Sequence, residues 1–227
     1  MKLLFLCTAL LYGIIGFTQS VNIKPPIYSV IKKNIVKEKS NFYYPKLIEK
    51  YNSADSTMTL KEKRHLYYGY IHHPKYSPYS RSDYTDSLRI VLKKRMYSPI
   101  DLKNIATYAD SLLVQNPFNL KAIHYKIYVF NQLEDAVNLK KEYAKMRMLT
   151  DALLSSGDGL TKKTAFYVIS PTHEYSLLNI LGYDFGGKQS LIEHFDYLTL
   201  KENDENIEGL YFDVSASLEH MNNLFKN

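Results

Sequence analysis

Several groups of side chains in this 227-residue chain have types and spacings that could do chemistry. The histidines come first. His72-His73 follow His65, and on a helix His65 and His72 would share a face two turns apart, too far to hold one metal ion. Pro74 closes that stretch, so these imidazoles read as neighbours of a helix C-terminus, where the dipole favours them. His173-Glu174 invites comparison with the zinc-protease pattern His-Glu-x-x-His, but residue 177 is Leu and the pattern fails. Gly157-Asp158-Gly159 lacks both the further oxygens of a calcium loop and the Gly-Lys-Ser/Thr of a phosphate loop. It reads as a turn joining helix to strand. Glu202, Asp204, Glu205 and Glu208 read as a solvated acidic hairpin tip.

The tyrosines are the strongest lead. The chain has 21 Tyr and 10 Phe but no Trp, and Tyr67, Tyr68, Tyr70, Tyr76, Tyr79 and Tyr84 crowd one stretch with Arg64, Lys75 and Arg81 among them. Tyr gives a large contact area with a polar handle, and Tyr and Arg are enriched at interfaces. Tyr68, Tyr76, Tyr79, Arg64 and Arg81 are therefore the expected binding residues. No catalytic residue, metal site or cofactor is assigned. A Gly-x-Ser-x-Gly elbow is absent, and an acid pair of the glycosidase kind would meet only in space.

The elements that must position these residues change character along the chain. Thr59-Leu60-Lys61-Glu62 is a capping box, and Ser98-Pro99-Ile100-Asp101 sets a cap, a helix-starting proline and an acid in sequence. Ile105, Ala109 and Leu112 continue a helical stripe, and Asn116-Pro117 stops it. Helices are predicted to restart near Asn119 and again at Glu134 or Asp135. The junction from Ala109 to Ala122 is tetratricopeptide-like, with one helix closing on a proline and an Asn starting the next. Beyond Ser155-Ser156-Gly157 the pattern turns to strands: Thr164–Ser170, Phe195–Leu200 and Leu210–Val214, with Gly186-Gly187 as a turn and Ser217 capping a last helix. Tyr175 to Tyr183 fits strand or short helix equally. The expected fold is α+β: a helical-hairpin region, then a small antiparallel sheet with a C-terminal helix.

Met1 to Thr18 has the layout of a secretory signal peptide, and its apolar run from Leu3 to Phe17 is shorter than the ~20 residues of a spanning helix. The predicted organisation is signal peptide 1–18, extended lead-in 19–40, helical region 41–156 and β region 157–227. No later stretch is long and apolar enough to span a membrane. Cys7 is the only cysteine, so cleavage would remove disulfides, Cys-ligated zinc and Cys nucleophiles from the product. Residues 19–156 hold 23 Lys/Arg against 12 Asp/Glu, and residues 157–227 hold 5 against 11. This imbalance reads as attraction between the halves, and no nucleic-acid motif accompanies it.

Tyr67-Tyr68-Gly69-Tyr70, Tyr76-Ser77-Pro78-Tyr79, Ser156-Gly157-Asp158-Gly159 with the strand after it, Asp196-Tyr197-Leu198 and Leu210-Tyr211-Phe212-Asp213-Val214-Ser215 form a recognisable set. Together they resemble an exported Bacteroidota family of uncharacterised proteins, domain of unknown function 4919. The resemblance implies a periplasmic, outer-envelope or secreted location and carries no catalytic residues. The functional expectation is a non-catalytic scaffold that binds another envelope protein or a peptide through a helical concave face or the Tyr-rich loop, with an acidic glycan as a further candidate partner. A carbohydrate-binding or hydrolytic protein is the alternative.

Overall fold

The computed structural model describes residues 23–224, so the signal-peptide expectation lies outside the described residues. The fold is α+β, as the sequence predicts. The segment 19–40, expected to be extended, contains helix α1 (Tyr28–Ile35), whose Ile31 and Ile35 stand one turn apart and are both buried. Helices α2 (Tyr44–Asn52) and α3 (Leu60–Gly69) follow. The Thr59–Glu62 capping box of α3 forms in both directions, and a 3-10 turn at Tyr70–His72 extends the helix.

Helices α4 (Asp83–Leu92), α5 (Pro99–Gln115), α6 (Leu120–Gln132) and α7 (Ala136–Leu154) pack in succession, each against the next. Their starts obey local rules. Ser98 and Asp101 close a capping box, Asn119 accepts from the Ala122 amide, and Asp135 accepts from the Asn138 amide. Leu88, Leu102, Ile105, Ala122 and Val129 make a separate small core among α4, α5 and α6. Lys126 of α6 joins this array by bridging Asp110 of α5 and Glu142 of α7, each at 2.8 Å. Ile100 and Val137 face solvent.

The main core lies where α1, α2, α3 and α7 meet the sheet, with Leu47, Leu66, Leu149, Phe166 and Phe212 in it. The sheet runs in the order β1-β4-β3-β2, from β1 (Phe166–Tyr167), β2 (Phe185–Ile192), β3 (Phe195–Leu200) and β4 (Gly209–Asp213). It is mixed rather than wholly antiparallel: β1 pairs parallel with β4. The connection between them passes through helix α8 (Pro171–Leu181) and the β2–β3 hairpin, which brings the chain back in the original direction. Gly186-Gly187 is not a turn. Both glycines lie inside β2, where the register shifts between Phe185 and Gln189 and Gly187 takes φ 95°. The Tyr175–Tyr183 ambiguity resolves as helix up to Leu181, stopped by Gly182 at φ 83°. Helix α9 (Ser215–Leu224) starts two residues ahead of Ser217, with the Asp213 carboxylate accepting from the Ser215 amide.

The Gly157-Asp158-Gly159 turn has a steric cause. The Asp158 and Gly159 amides both donate to the Thr164 carbonyl, and a Cβ on Gly157 would stand 2.1 Å from that same oxygen. No helix among the described residues is long and apolar enough to cross a membrane.

Candidate functional site

Helix α8 presents two consecutive buried polar residues with opposite fates. His173 is enclosed between the helices. Its Nε2–H donates to the Phe118 carbonyl at 2.9 Å, because a carbonyl can only accept. That fixes the tautomer, so Nδ1 accepts from the Tyr67 hydroxyl at 2.6 Å, and the Tyr67 oxygen in turn takes the Ile169 amide. Burial lowers the imidazole pKa to about 4, so the ring is neutral and every polar atom in the chain of bonds has a partner.

Glu174 has no such arrangement. Its side chain is 0% exposed, and no N–H or O–H donor reaches either carboxyl oxygen. What it meets is a second carboxyl, that of buried Asp196 on β3. Asp196 Oδ2 accepts from Gln189 Nε2 of β2 at 2.8 Å, and Gln189 Oε1 accepts from the Tyr175 hydroxyl. Glu174 sits in the first turn of α8, where the dipole favours the anion by about 1 kcal/mol. Burial, then the Asp196 charge, then the hydrogen bond to Asp196 overrule that preference and push the carboxyl up to about 9. At neutral pH Glu174 therefore carries a proton, with the Asp196 carboxyl as its charged neighbour. Tyr79, 44% exposed, stands near both acids; its partial burial, and then the charges of Asp196 and Glu174, raise its pKa.

The other side of α8 borders a groove of about 440 Å³ shared with α6 and α7. Leu120, Tyr125, Met146 and Ile180 give it an apolar lining, and Lys121 and His124 add cationic or polarisable character. Lys121 makes no ion pair among the described residues. The volume falls in the range of about 300–1,000 Å³ typical of ligand pockets.

The expected binding residues divide. Tyr68 and Tyr76 are 0% and 5% exposed, and their hydroxyls donate to the Ala152 and Ile169 carbonyls. They are core residues and offer no binding surface. A sequence rich in Tyr buries rings readily when each hydroxyl can reach a backbone carbonyl, as these do. Arg64 is a brace: it bonds the Ser155 carbonyl and hydroxyl and the Lys24 and Pro25 carbonyls, and its guanidinium lies 5.4 Å from the Tyr68 ring centre. Tyr79 and Arg81 are exposed. The structure thus does not bring the five together as one surface. Of the histidines, His65 stacks on Phe42 and bonds Asn34, and His73 stacks on Tyr70.

Sequence reasoning missed Glu174, Asp196 and Gln189 as a group. The His173-Glu174 dipeptide drew attention for a pattern that fails, and its acid partner lies 22 residues away on another element.

A family model described as Domain of unknown function (DUF4919) matches residues 29–223 of the chain. No curated protein and no solved structure matches it.

Proposed function

Because the chain belongs to the DUF4919 family, whose description names no activity, we propose a function on geometry: a non-catalytic binding protein of the bacterial envelope that holds a segment of a partner protein in the α6–α7–α8 groove. The groove carries this reading. Its lining accepts an apolar side chain, and Lys121 with His124 favours a carboxylate beside it, so the ligand chemistry is an acidic, apolar peptide segment. The successive packing of α4 to α7 and the Asn116-Pro117 junction support a tetratricopeptide-like scaffold behind it, and the leader Met1 to Thr18 supports export. The hydrolytic alternative would need substrate to reach the acid pair, and both Glu174 oxygens are closed to solvent.

The test is site-specific photo-crosslinking in the native envelope, with a benzoylphenylalanine at position 124. The expected adduct joins the groove to an acidic, apolar peptide and disappears on Ile180→Asp. Crosslinks that persist in the Ile180→Asp protein, or no adduct at all, would overturn the groove reading.

A further inference from the structure

The Glu174–Asp196 pair has no part in the groove just described, yet it is the most poorly satisfied polar contact among the described residues. Two carboxyls face each other in the interior with no cation beside them. The titratable groups that face Glu174 are Asp196 from β3, Tyr79 from the loop before α4 and Tyr175 on its own helix. None of them is basic, and neither acid joins an ion pair with Lys, Arg or His among the described residues. The His173 ring on the same helix is committed to Phe118 and Tyr67.

Beside the pair runs an edge strand of the sheet, β2, whose Gln189 bonds Asp196. β2 lies at the sheet edge, and its residues from Gly186 to Ile192 are all exposed. Its pairing with β3 is interrupted between Phe185 and Gln189. Gln189 spans the gap, donating to Asp196 and accepting from Tyr175, so α8, β2 and β3 are all tied at this point. A strand with few buried contacts opens at lower free energy than the core beneath it.

We propose that the Glu174–Asp196 pair is a proton-operated latch: while Glu174 stays protonated beside Asp196 the β2–β3 hairpin stays closed against α8, and loss of that proton releases the hairpin. The logic is linkage. In the closed form Glu174 keeps its proton, whereas in an open form it meets water and behaves as an ordinary carboxylic acid. Opening therefore releases one proton across the interval between the two pKa values. Each pH unit in that interval multiplies the open population about tenfold, so the hairpin loosens progressively from mildly acidic to mildly alkaline pH. No covalent step is involved, only transfer of the Glu174 proton to solvent.

Hydrogen–deuterium exchange of the intact chain between pH 5 and pH 9, corrected for intrinsic amide rates, reads the latch directly. Protection of the β2–β3 hairpin is expected to fall about tenfold per pH unit in the wild type, while α5 and α6 keep a constant protection. Glu174→Gln has the same shape and no proton to lose, so its hairpin protection is expected to stay level. Asp196→Asn removes the neighbouring charge, and its decline is expected to end at a lower pH than in the wild type. A level wild-type profile, or the same slope in Glu174→Gln, would overturn the proposal. So would protection restored at pH 8 by calcium or magnesium in the wild type but not in Glu174→Gln, which would make the pair a cation site.

Discussion

The helical array and the α8–sheet layer each bury an acid, and they treat it in different ways. In the array, Glu142 is enclosed but has Lys126 at 2.8 Å and Lys145 at 3.6 Å, and Lys126 also reaches Asp110. In the sheet layer, Glu174 is enclosed and has only another acid for company. An ion pair inside a protein is roughly neutral for stability but specifies which elements meet, whereas a lone buried acid must take up a proton. The array is therefore held by charge. The sheet layer is held by a proton and is sensitive to it.

The comparison can be broken at either end. The largest effect is expected for Lys126→Ala, which leaves Glu142 buried with the more distant Lys145 alone; urea unfolding should show a loss of about 3 kcal/mol. Next, and opposite in sign, is Glu174→Gln. Its pKa is about 9 in the fold and 4.5 as an ordinary Glu, so the stability attached to its protonated form is whole below about pH 4.5 and is lost as pH rises toward 9. The variant is expected to gain about 3 kcal/mol at pH 7, and more at pH 8, in a urea series at each pH. A variant that gains nothing would mean that the acid is solvated in the fold. Tyr67→Phe should lose about 2 kcal/mol by chemical unfolding, because the His173 Nδ1 acceptor and the Ile169 amide both lose their partner. Smallest is Asp110→Ala, below about 1 kcal/mol in the same assay, since that acid is 59% exposed and Lys126 keeps Glu142. Equal effects from Lys126→Ala and Asp110→Ala would erase the distinction between the enclosed and exposed halves of the network.

Local signals were legible and long-range ones were not. The boxes at Thr59–Glu62 and Ser98–Asp101 and the caps at Asn119 and Asp135 could be read because a cap involves residues two or three positions apart. Strand β3 alternates between half-buried and buried positions, β4 is buried at every position but Tyr211, and both were also recognisable. Strand β2 was not: it is exposed along its length, carries two glycines and contributes almost nothing to the core, so no apolar alternation marks it. The parallel pairing of β1 with β4 depends on residues 46 positions apart, Phe166 with Phe212. The tyrosines mislead for a different reason. A Tyr is equally suited to surface and core, and the decision rests on whether a carbonyl waits at the far end of the ring, as Ile169 does for Tyr76. The acid pair was invisible because its two members share no element.

The adjacency of His173 and Glu174 has a calorimetric signature. On folding, the imidazole gives up a proton, since its pKa drops from 6.5 to about 4, and the next residue takes one up. Near pH 5.5, midway between the two unfolded values, these two exchanges cancel, so the buffer dependence of the unfolding heat there is left to other groups, such as His65 and His72, whose burial also lowers their pKa. By pH 8 only the Glu174 exchange remains. Buffers of high and low ionisation enthalpy should then report different heats, and the difference divided by the gap in their ionisation enthalpies counts about one proton.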